Sequence, residues 1–263
     1  MKIFSVALLS GLMLSTPLLA FEQADIDQLL KTKKCIRCDL KGADLKGADL
    51  AGAVIRDTDL KGANLAGANL KKADLRRADL EKSIMTGANM ERANLQDTDM
   101  EKADLGAVNL EKAQLQEADL NKVVLIDANL SGADMREADM RRANLSRANL
   151  SGADLRETDM ERTIIKDANF NGTDLRKADL DRADARNVTM VGANLEWAKL
   201  RRGIFHNANL RDADLDDASF HQTDLSGADL TDVSGLAQRQ LDEACGDDKT
   251  KLPSRLKITT CEY

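Results

Sequence analysis

The sequence has little of what most chains of its length use to build an interior. Only seven of its 263 residues are aromatic: one Trp, one Tyr and five Phe. That excludes a core organised around large rings and a stacking platform for single-stranded nucleic acid. Two prolines exclude a fold rich in Pro-bearing loops. Two histidines, His206 and His221, leave little for acid-base or metal chemistry; they stand 15 residues apart, near Trp197, with no Cys or further His beside them. No GxSxG, HExxH or phosphate-binding glycine loop occurs. A formal charge of -7, from 38 basic and 45 acidic residues, excludes a nucleic-acid binder held by bulk charge.

Long apolar runs are absent except at the start. Residues 1–20 carry one charge, Lys2, ahead of an apolar stretch that ends at Ala20, the pattern of a secretory signal peptide. Ser10, Gly11, Ser15, Thr16 and Pro17 interrupt the stretch, which is short for a membrane span. Cleavage is therefore expected rather than anchorage, near Ala20, with Leu18 standing where an A-x-A site has a small residue. The remainder carries 37 bases against 45 acids, a charge of -8. A periplasmic or secreted protein is expected, with no stable membrane insertion after signal removal.

What fills the rest of the chain is a repeat. Every fifth residue from 40 to 230 gives 39 positions: 26 Leu, 7 Met, 3 Phe, 2 Ile and Ala185. The phase never slips. Two residues before each centre stands Ala in 27 cases, otherwise Cys, Ser, Thr, Val or Gly; one residue before stand 19 Asp and 11 Asn. The unit is A-(D/N)-L-x-x. A period of five fits neither the 3.6 of a helix nor the 2 of a strand, so the chain turns a corner within each unit.

Residues 38 to 230 thus resemble the pentapeptide-repeat family. The resemblance implies an all-β solenoid, a right-handed quadrilateral β-helix with four units, or 20 residues, per coil, and with the centre and the small residue inside. The sequence carries the 20-residue period itself. Asp39, Asp59, Asp79, Asp99, Asp119, Asp139, Asp159 and Asp179 form one unbroken series; Asn69, Asn89, Asn109, Asn129, Asn149 and Asn169 form another. The four sides are chemically distinct. Residues 39–230 are expected to make about 9 to 10 coils, ~46 Å long at ~4.8 Å per coil, between an N-terminal cap (21–38) and a C-terminal helix and disulfide-closed cap (231–263), both with short helices.

The Asp series sets like charges ~4.8 Å apart, a repulsion of ~0.9 kcal/mol per pair even in water. Three residues beyond it runs a basic series, Lys82, Lys102, Lys122, Arg142, Arg162, Arg182 and Arg202, expected to neutralise the acidic stripe. A different side breaks the Asp/Asn rule in every second coil, at Ile84, Val124, Ile164 and Ile204. Facing outward, these residues make an intermittent apolar row for a partner or a second copy; folded back by a changed turn, they make none.

Four cysteines flank the repeat. With the solenoid separating its ends by ~46 Å and a disulfide needing α-carbons within about 7 Å, Cys35 pairs with Cys38 and Cys245 with Cys261, in the oxidising compartment that a signal peptide supplies. The alternatives for Cys35-Ile36-Arg37-Cys38 are a redox dithiol, without the βαβ context such motifs have, and a zinc site. Short helices are expected at 25–34, with Ile26, Leu29 and Leu30 on one side, and at 236–245, capped by Ser234, with Leu236, Leu241 and Cys245 toward the last coil. The ends, Cys35-x-x-Cys38-Asp39-Leu40 and Ala244-Cys245-Gly246-Asp247 followed by Thr250-x-Leu252-Pro253 and a last Cys, resemble those of secreted members of the family.

The function expected is a non-catalytic scaffold for protein-protein interaction, its partner an unidentified protein or a second copy, with no cofactor and no nucleic acid. One alternative is nucleic-acid mimicry: cytoplasmic relatives are similar in shape and charge to duplex DNA and bind DNA gyrase. Residues 39–230 carry 36 acids and 28 bases, but 19 of the acids precede a centre, and the other outward positions hold 17 acids and 27 bases. That is a poor copy of an unrelieved phosphate backbone. The other alternative is a redox or metal-dependent enzyme.

Overall fold

The structure, a computed structural model, describes the backbone of residues 17–262. Of the expected signal peptide, residues 1–16 lie outside the described residues, and the last four begin helix α1 (Pro17–Thr32).

Each five-residue unit contributes one rung of a parallel ladder, and each rung pairs with the rung 20 residues on: Asp59 with Asp79, Asn64 with Ile84, Asn69 with Asn89, Asp74 with Asn94. Two hydrogen bonds make the rung. The N–H of Leu60 donates to the Asp79 carbonyl at 2.7 Å, and the N–H of Asp79 donates back to the Thr58 carbonyl at 3.0 Å. Four such units close a coil, so four ladders run side by side.

The corners follow from one backbone feature. The small residue's N–H donates to the carbonyl of the preceding centre, as from Ala63 to Leu60 at 2.9 Å, and the second residue after every centre has a positive φ. Glycine fills some of these positions, as Gly62 does at φ 66°; Lys, Arg, Asp, Glu, Asn, Gln, Ala and Trp fill the others, as Ala107 does at φ 53°. None is Val, Ile or Thr, whose branched Cβ fits the left-handed region worst. The strain is on the order of 1 kcal/mol at each non-glycine corner. The corner N–H recovers a ladder bond of its own, Lys82 to the Glu101 carbonyl at 3.0 Å.

The interior is continuous. All 39 centres are buried, and so are the residues two before them, with Ala48 partly exposed. Buried threonines replace Ala at several positions and hydrogen-bond within the ladder, Thr98 to the Leu95 carbonyl at 2.7 Å and Thr173 to the Leu150 carbonyl at 2.9 Å. Ser83 differs, its Oγ buried without a hydrogen-bond partner. Side-chain sizes compensate locally. Ala185 lies one coil before Phe205 on the same ladder, and a Cβ on Gly203 would lie 2.7 Å from the Phe205 ring and 2.9 Å from the Leu200 carbonyl.

Both ends are closed, and both by the same device. At the first coil the Asp25 carboxylate, carried by α1, accepts the N–H of Asp39 at 2.9 Å, where a preceding coil would have offered a carbonyl. Helix α1 ends at Thr32, two residues before the expected end, because Lys33 turns to φ 55° and Lys34 already pairs with Val54. At the other end helix α2 (Gln238–Leu241) is much shorter than the expected 236–245. The chain must rejoin the ladder: Cys245 pairs with Asp224 and Lys251 with Asp229. Ser234 is not the cap of α2 but a further rung, on Asp214. Gln240 does the capping. Its Oε1 accepts the Ala237 N–H at 2.7 Å, and its Nε2 donates to the Leu215 and Ala218 carbonyls at 2.9 Å each. Strands β1 (Cys245–Gly246) and β2 (Thr259–Thr260) pair in parallel beyond it. Disulfides join Cys35 to Cys38 and Cys245 to Cys261, with α-carbons 5.6 and 4.8 Å apart.

Two substitutions test this account by urea unfolding. Gln240→Leu, which leaves the Ala218 carbonyl without a donor, the Leu215 carbonyl with only the Ala218 N–H and the Ala237 N–H without its acceptor, is expected to lower stability by about 1–3 kcal/mol. Gly203→Ala is expected to cost about 1–3 kcal/mol through overpacking against Phe205, whereas Ala48→Gly, at a partly exposed position, is expected to cost about 1 kcal/mol or less.

Candidate interaction surface

The residue before each centre points outward and has a local task. Its side-chain oxygen accepts the N–H two residues on: Asp59 from Lys61 at 2.9 Å, Asn89 from Glu91 at 3.2 Å, Asp134 from Arg136 at 3.4 Å. This is the Asx turn, and it explains the preference for Asp and Asn. Beyond that shared bond the four sides diverge.

On the first side the Asp series stacks. The basic series does not neutralise it in the way expected from sequence. Lys82 pairs with Glu81 at 2.6 Å, Lys102 and Lys122 with Glu101 at 2.9 and 3.1 Å, and Arg162 and Arg182 with Glu161 at 3.4 and 3.2 Å. The partners are glutamates at the same corner, because the first and second residues after a centre sit together there. Lys61 and Lys82 hold the Glu81 carboxyl down to about 2. Asp139 has Arg141, Asp159 has Arg141 at 3.5 Å and Asp179 has Lys199 at 3.0 Å. Asp79, Asp99 and Asp119 form no ion pair among the described residues; each accepts a backbone N–H, from Glu81, Glu101 and Asn121. Burial and then the neighbouring Asp119 and Asp79 raise the Asp99 carboxyl above its ordinary value, and burial with Asp139 does the same for Asp159.

The third side carries a ladder of amides, each Nδ2 donating to the Oδ1 one coil back: Asn109 to Asn89 at 3.3 Å, Asn129 to Asn109 at 3.0 Å, Asn169 to Asn149 at 3.0 Å. The fourth carries an ion-pair ladder that the sequence reading missed. Arg76, Arg136, Arg156 and Arg176 each grip the Asp two residues earlier through two nitrogens at 2.6–2.9 Å. Arg136 and Arg156 also approach the Asp of the next coil, at 3.7 and 3.6 Å. The 20-residue spacing of Asp-x-Arg was the signal available for it.

The second side is the exception. Ile84 and Ile204 are 45% and 38% exposed, and Val124 and Ile164 lie half-buried at the same outward position. All four stay on the rung, so no changed turn folds them inward. Without a side-chain oxygen they also give up the Asx bond. Beside Ile84 and Val124 stand Ala66, Thr86, Gly106 and Ile126, none of them charged, and beside Ile164 and Ile204 stand Lys166, Arg186 and His206.

The remaining candidates are not brought together into a reacting set. The His206 ring lies 2.7 Å from Asp224, and Ser226 Oγ donates to the same carboxylate at 2.7 Å. The carboxylate sits between Ser and His, so the imidazole is not placed to take the hydroxyl proton. His221 is 3.7 Å from Glu243, on another corner. Two groups, Asp25 with Cys35 and Cys38, and Asp224 with Cys245 and Cys261, bring potential metal-ligand atoms within 4.8 Å, but in each the two sulfurs are bonded to each other and offer no thiolate. Hollows on the surface are lined by charged corners, one of about 350 Å³ by Glu161, Asp181, Arg182, Arg201 and His221 among others. Among the described residues no helix is long and apolar enough to cross a membrane.

A filled four-sided coil with rungs at 20-residue intervals defines a β-helical solenoid. The chain belongs to the pentapeptide-repeat family: the family's pattern, pentapeptide repeats, matches in eight copies across residues 34–71, 73–111, 103–142, 124–162, 143–182, 163–202 and 193–232. Among solved structures it is similar to HetL, a pentapeptide-repeat protein involved in heterocyst differentiation regulation from the cyanobacterium Nostoc sp. strain PCC 7120, at 30% identity over 85% of this chain and 96% of that one, with a TM-score of 0.50. A pentapeptide-repeat protein of the Arabidopsis thaliana thylakoid lumen matches at 28% identity over 46% of this chain and 77% of that one, TM-score 0.30. QnrB1, a plasmid-mediated fluoroquinolone resistance protein, matches at 13% identity over 76% and 90%, TM-score 0.43. The comparison with curated proteins gives no match.

The raised Asp99 carboxyl carries a sign that can be checked. A carboxyl raised on folding stabilises the protein below its unfolded value of 3.8, and that contribution is lost as the pH rises through the folded value. Asp99→Asn keeps the oxygen that accepts the Glu101 N–H and removes the charge. It is expected to raise stability at pH 7 by on the order of 1 kcal/mol, and to bring no gain below pH 3.8. Urea unfolding at the two pH values tests it; an equal gain at both would place the effect elsewhere than in ionisation.

Proposed function

We propose that this chain is a non-catalytic, extracytoplasmic scaffold, periplasmic or secreted, which binds protein partners through the sides of its solenoid. The observation that carries the reading is the second side. On the other three sides an apolar residue stands before the centre once, at Val54, whereas Ile84, Val124, Ile164 and Ile204 place apolar surface in water at a regular 40-residue spacing. Such a row is the kind of surface that marks an interaction site.

The compartment is supported by the signal-like residues 1–20 and by disulfides closing both ends. The redox alternative is weakened by burial: Cys35 is 0% and Cys38 9% exposed, which leaves an attacking thiolate little access to the bond. Nucleic-acid mimicry is weakened by the mixed surface, where arginine ladders answer the carboxylates of the fourth side.

Intact mass of the protein recovered from a secreting bacterial host, before and after reduction, tests the compartment. Loss of residues 1–20 and two reducible disulfides are expected. An unprocessed chain with four free thiols would overturn the reading and return attention to gyrase, tested by protection at micromolar protein.

A further inference from the structure

The second side has an internal symmetry. Ile84, Val124, Ile164 and Ile204 alternate with Asp104, Asn144 and Asp184 on successive rungs. Read from either end, the row runs apolar, Asp, apolar, Asn, apolar, Asp, apolar, with Asn144 at its middle. In an isologous contact about a two-fold axis residue i of one copy meets j of the other and j meets i, so a row that reads alike from both ends sets apolar against apolar and polar against polar along its length.

The flanking column, two residues further on, is not symmetric but complementary. Before the middle it is short and uncharged, Thr86, Gly106 and Ile126; after it come Lys166, Arg186 and His206. The charges divide in the same way. Asp104 accepts the Gly106 N–H at 3.0 Å and forms no ion pair among the described residues. Asp184 holds two cations, Lys166 at 3.0 Å and Arg186 at 2.7 Å. Row and column together, the half before Asn144 carries one net negative charge and the half after it one net positive charge.

We infer that this side is a homodimer interface in which two solenoids lie antiparallel about a two-fold axis at Asn144. In that register Ile84 meets Ile204 of the second copy, Val124 meets its Ile164, and Asp104 meets the Asp184–Arg186–Lys166 group, with Gly106 leaving room for the long Arg186 side chain. The second copy is the occupant because it supplies the same flat surface at the same ~4.8 Å period, so the contacts stay in register along the whole row. From Ile84 to Ile204 the row spans six coil spacings, ~29 Å. With its flanking column it offers each copy on the order of 400 Å², about half a standard interface. The dimer is therefore weak and forms with concentration. On the other flank Arg142, which has no ion pair or side-chain hydrogen bond among the described residues, faces its own counterpart across the axis and opposes assembly.

The inference rests on the scaffold reading, and sedimentation velocity of the full disulfide-bonded chain over a hundredfold concentration range tests it separately. A monomer-dimer equilibrium is expected. Ile84→Asp with Val124→Asp and Ile164→Asp is expected to abolish it at unchanged far-UV circular dichroism, and Val124→Ile to leave it as it is. Asp104→Lys is expected to weaken the dimer tenfold or more, and addition of Arg186→Glu to restore it. Arg142→Ala is expected to tighten it, the reverse of what an acidic foreign partner would produce. Oxidative cross-linking reads the register: Asn144→Cys is expected to link to itself, and Ile84→Cys only to Ile204→Cys. Self-linking of Ile84→Cys would overturn the antiparallel arrangement. A strictly monomeric chain would overturn the dimer while leaving the compartment reading to the mass measurement.

Discussion

The rung hydrogen bond, from the N–H of a centre to a carbonyl one coil later, is what the rest of this structure depends on. It fixes the coil at 20 residues, because only at that spacing do all four sides meet their counterparts together. It also makes each coil a template for the next, so identical side chains stack on a side and either reinforce or repel one another. The amides of the third side reinforce. The carboxylates of the first side repel, and burial compounds the repulsion at Asp99. A single backbone register thus sets the sign of the surface electrostatics.

The same bond makes the corners tolerable. A left-handed residue at every turn is a standing strain of on the order of 1 kcal/mol wherever glycine is absent, and no local contact removes it. The ladder offsets it, since each corner N–H finds a carbonyl on the next coil. Where the ladder stops, that compensation stops too, and an open end would present unpaired backbone to any passing strand. Asp25 and Gln240 therefore act as stand-ins for the missing coils: a carboxylate for the carbonyl at one end, an amide for the N–H groups at the other.

Much of this was legible in the sequence. The unbroken phase of the centres gave away the buried column, the Asp and Asn series the four sides, and the ~46 Å separation of the ends the pairing of the cysteines. What was not legible depended on how corners fold. The Lys82 to Arg182 series pairs with corner glutamates and not with the Asp stripe, because the first and second residues after a centre share a corner, which linear spacing does not show. Helix α2 stops at Leu241, short of the span its periodicity predicts, because Cys245 and Lys251 must supply rungs to the ladder, a demand that helical periodicity does not carry. Whether Ile84 and its companions faced out was open for a similar reason: the period marks the position as unusual and says nothing about its turn.

That position matters because of what surrounds it. At most rungs the residue before the centre is chosen for the fold, and an Asp or Asn there satisfies a turn N–H worth about 1 kcal/mol. At Ile84, Val124, Ile164 and Ile204 the chain gives up that bond and exposes apolar surface in its place at two coils' spacing, where the fourth side does so once, at Val54. Neither change helps the isolated solenoid. Departures from a local rule that recur in register, without a compensating gain inside the chain, point to a demand from outside it. The alternating polar rungs sharpen that demand. Asp104, Asn144 and Asp184 keep the side from becoming one continuous apolar strip open to indiscriminate association, and they leave a pattern of charge and shape that only a partner of matching period can meet along its whole length.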